Sequence, residues 1–151
     1  MVAAASESIE AIVCDAAALP FEAGAFDLAV AFMSLQDMED LHGVVREVAR
    51  VLAPAGRFCF AVVHPINGAG NFEDGVFTIR GSYLEVRRID ALFEGRGYRI
   101  NFAQLHRPLE DYARALEAAG LRIEALREPR HPESEKWSRV PLFLHMRAVK
   151  R

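Results

Sequence analysis

The stretch that decides the fold is CDAAALPFEAGAFDLAV, residues 14–30. An acid, Asp15, comes directly after a short apolar run, and a second apolar run opens a few residues later. That second run, from Phe26 to Met33, is almost continuously apolar, which is typical of a strand covered on both faces in a parallel sheet. The sequence therefore predicts an α/β fold built outward from this strand.

A helix is predicted next, because apolar residues recur at the spacing of one helical face. They are Leu41, Val44, Val45, Val48, Val51 and Leu52. Asp40 is placed to cap the start of the helix, and Pro54 with Gly56 ends it. Arg57–Val63 is then a further buried strand, so the two strands that flank the helix should be parallel. An earlier, short strand is predicted over Ile9–Val13.

The second half of the chain is predicted to hold another helix and two more strands. The apolar face of the helix consists of Leu109, Tyr112, Ala113 and Leu116. Gly120 is the expected left-handed stop after the helix, and Leu121–Leu126 and Pro141–Val149 are the strands. Residues 68–107 are rich in glycine and aromatic residues, and we expect them to form an inserted flap or hairpin region.

Length, composition and charge limit what the protein can be. A chain of 151 residues with 52% hydrophobic residues can bury a core, and we interpret residues 1–151 as a single, partial domain. The net charge of −3 favours neither nucleic acid nor an anionic membrane as a partner. Cys14 and Cys59 lie in apolar runs without metal-ligand spacing. We therefore expect reduced thiols, no metal site, no membrane span and a cytoplasmic location.

Four segments, in their order along the chain, resemble the class I S-adenosylmethionine-dependent methyltransferases, and the methyltransferase type 11 branch in particular. They are CDAAALPF, FDLAVAFMSLQDMEDL, EVARVLAPAGRFCFAVVHP and HRPLEDYARALEAAGLRIEALREP. The family pattern has an acid-Ala pair, Leu-Pro-Phe, Phe-Asp opening strand four, and Glu-x-x-Arg-Val-Leu before strand five. The resemblance implies a Rossmann-like sheet that is incomplete, with strands three to seven of the family pattern and helices on both faces.

The resemblance also implies S-adenosylmethionine as cofactor and a small molecule as methyl acceptor. In the family, the acid after strand three accepts a hydrogen bond from the adenine amino group, and Asp15 holds that position. A carboxylate suits an exocyclic amine because it only accepts hydrogen bonds. The end of strand four would lie against the cofactor. The resulting cofactor-binding candidates are Cys14, Asp15, Ala16, Phe32, Met33 and Gln36.

No catalytic residue follows from the resemblance, because methyl transfer from a sulfonium depends mainly on alignment of the reactants. His64 and His106 are the candidates for proton transfer, since histidine titrates near neutral pH. The alternative for each is a structural histidine held by hydrogen bonds. Tyr83 and Trp137 either line a substrate pocket or pack against neighbouring side chains.

Two family features have no counterpart in the sequence, namely the Gly-rich turn after strand one and the acid that holds the ribose. The Gly-containing segment NGAGNFEDG follows strand five instead. The chain is therefore expected to begin after the family's first third. Without strands one and two, Phe26–Met33 becomes an apolar edge. Either Ile9–Val13 slides in beside it or, as we favour, two chains join edge to edge in a homodimer.

Two functions remain open at this point. One is methyl transfer to a small molecule. The other is that of a non-catalytic, methyltransferase-like remnant or partner subunit that assembles through the exposed sheet edge.

Overall fold

The computed structural model describes residues 11–95 and 97–151. Within them, one sheet has four strands in the order β1-β2-β8-β7. β1 and β2 are parallel, whereas β8 is antiparallel to both β2 and β7. These strands are β1 (Phe26–Phe32), β2 (Leu52–Val63), β7 (Leu121–Arg127) and β8 (Phe143–Lys150). The order matches strands four, five, seven and six of the family pattern.

The helix predicted between the first two strands is confirmed. Helix α1 spans Leu41–Val51, and Asp40 caps it by accepting a hydrogen bond from the backbone N–H of Gly43 at 2.8 Å. The strand that follows begins at Leu52, so the predicted start at Arg57 is wrong. The register with β1 shifts over this stretch, and the residues read as a helix stop form an irregular start of β2.

The hydrophobic core lies between the sheet and helices α1 and α3, where α3 spans Leu109–Ala118. Gly120 follows α3 with φ of 74°, which is the left-handed stop that the sequence predicted. Ala115 faces the core in place of the predicted Ala113, because it lies one helical turn after Tyr112. Further core side chains are Val45, Phe58, Phe60, Val62, Leu116, Leu144 and Met146.

The middle segment holds a short helix and two antiparallel hairpins. Its elements are α2 (Pro65–Ala69), β3 (Gly70–Glu73), β4 (Val76–Ile79), β5 (Arg87–Gly95) and β6 (Tyr98–His106). A further short helix, α4, spans Glu135–Arg139, and its Trp137 ring packs edge-on against Phe72 with centroids 5.5 Å apart. Tyr83 packs in the same way against His106 at 5.8 Å. No helix in the described part of the chain is long and apolar enough to cross a membrane.

Strand β1 is an apolar edge of the described sheet. The exposed fractions of Leu28, Val30 and Phe32 are 55%, 66% and 75%. The strand predicted over Ile9–Val13 is wrong for residues 11–13, which have no regular structure, while residues 9 and 10 lie outside the described residues. A strand is stable through its hydrogen-bonded neighbour, and among the described residues β1 pairs with β2 alone.

Two side chains of α1 tie the Leu-Pro-Phe segment to this helix. Glu47 accepts a hydrogen bond from the backbone N–H of Leu19 at 2.9 Å. Arg50 donates to the backbone oxygens of Phe21 at 2.8 Å and Leu19 at 2.9 Å. The hydrogen bond from Arg50 to Glu47 holds the pKa of that carboxyl below its ordinary value. The Glu-x-x-Arg pattern thus anchors the loop that follows Asp15.

Replacing Arg50 by methionine should release this loop, because Leu19 and Phe21 lose their side-chain donors. We expect the Leu19 amide to exchange with deuterium several times faster than in the unmodified chain, measured by NMR. Arg46→Met is the matched control, since Arg46 lies exposed on the same helix. Equal exchange rates in the two variants would contradict the anchoring role.

Candidate functional site

The carboxyl ends of β1 and β2 lie at the same edge of the sheet, because the two strands are parallel. Met33 follows β1 there, and its N–H donates to the backbone oxygen of Ala61 at 2.8 Å. Its φ of 53° is left-handed, which costs a non-glycine residue about 1–2 kcal/mol. Strain held in place by surrounding hydrogen bonds is typical of functional sites.

Asp15 forms a tight turn at the start of the anchored loop. Its Oδ1 accepts a hydrogen bond from Ala17 N–H at 2.9 Å, and its backbone oxygen accepts from Ala18 N–H at 3.0 Å. Asp15 and Cys14 are both exposed. The second carboxylate oxygen of Asp15 therefore remains able to accept from an exocyclic amine. This geometry fits the adenine end of the cofactor that the motif implies.

An apolar groove of about 440 Å³ runs along β1 on the side of α1. Ala16 and Phe32 line it, together with Val48 and Phe58 from the core. A second groove, of about 430 Å³, is lined by Phe32 and Cys59 together with residues of β7 and β8. Two of the predicted cofactor residues, Ala16 and Phe32, therefore share one groove.

Gln36 lies on a different cavity, at the carboxyl edge of the sheet. It is 7% exposed, and its Nε2 donates to the backbone oxygen of Met33 at 2.8 Å. This cavity measures about 20 Å³, enough for one oxygen-sized group. Both predicted histidines, His64 and His106, line it with Gln36. The fold thus brings three of the predicted site residues together.

His64 uses both ring nitrogens in hydrogen bonds. Its Nδ1 accepts from Ile66 N–H at 3.1 Å and so caps α2. The proton is therefore on Nε2, which donates to Oε1 of Glu128 at 2.8 Å. Burial lowers the pKa of His64, although Glu128 opposes that shift. The side chain is held in its neutral form, with no lone pair left for a ligand.

His106 has one ring nitrogen free. Its Nε2 lies 2.8 Å from the backbone oxygen of Tyr83 and must donate, because a carbonyl only accepts. Nδ1 is buried and has no hydrogen-bond partner within the described part of the chain, and in the neutral ring it is an acceptor. The ring is 3% exposed. A Cβ at Gly68 would collide with Nδ1, so glycine keeps the space beside this atom open.

Arg107 and Tyr112 complete the lining of the cavity, and the sequence did not single them out as site residues. Arg107 is 5% exposed, and its Nη2 donates to the backbone oxygens of Met38 and Glu39. Its Nη1 has no partner, and no ion pair within the described ranges neutralises the guanidinium. Burial raises the pKa of Tyr112 to about 12, so its hydroxyl stays protonated.

Comparisons with known proteins bear on the family resemblance and on the fold. Residues 1–60 match the family model described as a methyltransferase domain. Over 62 residues the chain is 40% identical to demethylmenaquinone methyltransferase of Lactococcus lactis, a match that covers 40% of this chain and 25% of that protein. The chain therefore spans a quarter of the length of the curated relative that it matches.

Solved structures extend the likeness over most of the chain. An S-adenosylmethionine-dependent methyltransferase from Mesorhizobium loti superposes with a TM-score of 0.68 at 25% identity, over 91% of this chain and 67% of that one. A candidate enzyme of the same description from Listeria monocytogenes gives 0.71 at 18% identity, over 90% and 66%. The predicted resemblance to class I methyltransferases and the Rossmann-like fold are confirmed.

The hydrogen-bonded pair of His64 and Glu128 should make the free energy of unfolding depend on pH. The pKa of His64 is below its ordinary value of 6.5 in the folded chain, so the unfolded state binds more protons just below that pH. The free energy of unfolding should therefore fall as pH drops through this range, by up to about 1.4 kcal/mol per pH unit.

The variant His64→Asn should remove the part of this pH dependence that arises from His64. The asparagine keeps a capping oxygen for the backbone N–H of Ile66. Urea unfolding of both chains between neutral pH and the range just below pH 6.5 measures the difference. His131→Asn is the control, because His131 is exposed. A slope that is the same in His64→Asn and the unmodified chain would show that the pKa of His64 is not lowered.

Proposed function

We propose that this chain, which has the fold of the class I S-adenosylmethionine-dependent methyltransferases, takes part in methyl transfer to a small-molecule acceptor. The observation that carries the proposal is the common edge of β1 and β2. The strained Met33 and the buried polar cavity lie there, and the family motif with Asp15 is anchored nearby by α1. The cofactor supplies an activated methyl group when bound.

The residues of this chain would hold the adenine end of the cofactor. The free carboxylate oxygen of Asp15 accepts from the adenine amino group, and Ala16 presents its backbone N–H beside the ring. Phe32 and Met33 cover the ligand from the end of β1. Cys14 flanks the turn. The methionine and ribose ends need groups that the sequence of this chain does not offer in the family pattern.

The apolar edge supports a homodimer as the assembled form. Leu28, Val30 and Phe32 expose large apolar side chains along a strand whose outer backbone groups can pair with another strand. Two copies of β1 placed antiparallel would satisfy those groups and bury the side chains of Leu28 and Val30 in one symmetric contact. The alternative function, a non-catalytic partner subunit, uses the same edge and is an outcome of the tests below.

A cytoplasmic location fits the two free thiols. Cys14 is exposed, Cys59 is half-buried, and neither forms a disulfide. Unpaired thiols are typical of a reducing compartment.

The first test is calorimetric titration of the purified chain with S-adenosylhomocysteine. We expect roughly micromolar binding. Asp15→Asn should weaken it by about tenfold, because the amide keeps the Ala17 hydrogen bond but replaces a charged acceptor at the adenine amine. Glu133→Ala, at an exposed position, is the control. No heat at high ligand concentration would favour the non-catalytic alternative.

The second test is the mass of the chain in solution. We expect sedimentation equilibrium to give twice the chain mass of 16.8 kDa. Val30→Lys should give the monomer mass, since a charge on an edge strand opposes pairing. Val76→Lys is the control, because Val76 is similarly exposed on a hairpin, at 60% against 66% for Val30. A monomeric unmodified chain would rule out the homodimer.

A further inference from the structure

The four-stranded sheet has an outer face, turned away from α1 and α3, that is apolar along β1. Ala29 and Ala31 pack against the core. Because side chains alternate between the two faces along a strand, Leu28, Val30 and Phe32 belong to the outer face, where they are largely exposed. A continuously apolar strand is typical of a sheet covered on both faces. In the described part of the chain, only one face of β1 packs against a core.

Apolar side chains give way to basic ones across this face. One row of register partners runs from Phe32 through Ala61 and His145 to Arg127. Partners in neighbouring strands share a face of the sheet, and all four residues line the groove of about 430 Å³. The small side chain of Ala61 thus lies between a large apolar residue and two basic ones.

The neighbouring row repeats this arrangement. It runs from Val30 through Cys59 and Arg147 to Ala125, and these residues also line the groove. Cys59, like Ala61, is small and belongs to β2. The groove therefore has a floor of small side chains on β2, an apolar wall on β1 and a basic wall on β7 and β8.

The basic wall is part of a basic strip formed by four exposed arginines, Arg57, Arg122, Arg127 and Arg147. Among the described carboxylates, Glu124 alone forms ion pairs with them, at 3.1 Å from Nε of Arg57 and 3.0 Å from Nε of Arg147. The hydrogen bonds from these two arginines hold the pKa of Glu124 below its ordinary value, so the carboxylate stays charged. The strip therefore carries net positive charge on a chain whose net charge is −3.

A segment that complements this face needs one apolar side and one acidic side. An amphipathic α-helix presents two such sides along its length, and its diameter of about 10 Å covers two strand spacings of about 4.8 Å. It therefore reaches from the apolar wall on β1 to the basic wall on β8. An added strand does not fit the face, because its backbone groups would find no hydrogen-bond partners there. An anionic bilayer is flat and would touch the walls without reaching the floor.

A second copy of the chain offers no such helix in its described part. Helices α1 and α3 bury their apolar faces in the core, α2 contains no acid, and α4 carries Lys136 and Arg139 against one acid, Glu135. Two copies stacked face to face would set the basic strip against itself or against the apolar wall. Pairing of two β1 edges lies in the plane of the sheet and leaves the floor at Cys59 and Ala61 open.

We propose that the outer face is a docking site for an amphipathic helix of a partner protein, whose apolar side packs over Cys59 and Ala61 and whose acidic side faces the basic strip. In this mode of recognition, apolar anchors at helical spacing supply the contact area. The complementary charges fix the orientation of the helix and raise the rate of association. The inference does not depend on cofactor binding or on the homodimer.

The probe for the test is a designed peptide of about 18 residues, or roughly five helical turns, with leucines on one side, glutamates on the adjacent side and a fluorescein label. Fluorescence anisotropy with the full chain measures its affinity, and we expect a dissociation constant of roughly micromolar order. A peptide with lysines in place of the glutamates should bind about tenfold more weakly. High salt should weaken the glutamate peptide, because it screens exposed charges.

Alkylation of the two native thiols locates the bound peptide. Cys59 lies on the floor of the groove, whereas Cys14 is exposed and does not line the groove. Saturating glutamate peptide should slow the reaction of Cys59 with iodoacetamide severalfold and leave that of Cys14 unchanged, as measured by mass spectrometry of tryptic fragments. Equal rates for Cys59 with and without the peptide would overturn the inference.

A charge reversal at Arg127 tests the basic strip. Arg127→Glu should weaken the glutamate peptide about tenfold and tighten the lysine peptide by a similar factor. The gain for the lysine peptide is a result that a misfolded chain would not give. Arg46→Glu is the matched control, because Arg46 is exposed on α1, on the other side of the sheet, and should change neither affinity.

Three further results would contradict the proposal. They are equal affinities for the two peptides, no binding of the glutamate peptide, and equal effects of Arg127→Glu and Arg46→Glu. Vesicles of phosphatidylserine and phosphatidylcholine form the membrane arm of the test. Protection of Cys59 by these vesicles that is lost in Arg127→Glu would replace the helix by an anionic bilayer as the occupant.

Discussion

The parallel pairing of β1 with β2 is the constraint on which the rest of the structure depends. A parallel pair needs a crossover connection, and α1 supplies it with one apolar face packed on the sheet. The same pairing brings the ends of both strands to one edge. Gln36 and His64, which are far apart in the chain, therefore line one cavity.

Helix α1 has a second role that follows from its position. Its buried face builds the core, while Glu47 and Arg50, on its partly exposed side, hold the backbone of the Leu-Pro-Phe loop. Backbone groups in a loop need partners as much as those in a strand do. The charged pair supplies them, and it thereby sets where the Asp15 turn lies relative to the sheet.

The two edges of β1 differ in whether another strand lies beside them. Towards β2, every residue from Leu28 to Phe32 has a register partner. Away from β2, Val30 and Phe32 are largely exposed, and an apolar groove lies on each face of the sheet. The cavity at the carboxyl edge differs again, because its lining is polar and buried. The apolar edge with its grooves and the buried polar cavity thus lie on separate parts of the surface, and Phe32 lines the grooves but not the cavity.

The sequence by itself determined the elements whose stability is local. Apolar spacing predicted α1, Asp40 was read correctly as its cap, and Gly120 as the stop after α3. The continuous apolar run at Phe26 predicted the parallel strand. The short run Ile9–Val13 was misread over residues 11–13, because a strand exists only through a neighbour and periodicity contains no information about the neighbour.

Only the tertiary structure decided how the site is built. The family motif predicted Asp15 as a site residue, and residue type made His64 and His106 candidates. The sequence did not show which histidine is structural and which is available to a ligand. Glu128 is hydrogen-bonded to His64 from 64 residues away, whereas Nδ1 of His106 is buried without a partner among the described residues. The sequence did not predict Arg107 as a site residue, because its burial without a counterion arises from long-range packing. Hydrogen bonds between distant residues depend on the fold as a whole, and no local pattern encodes them.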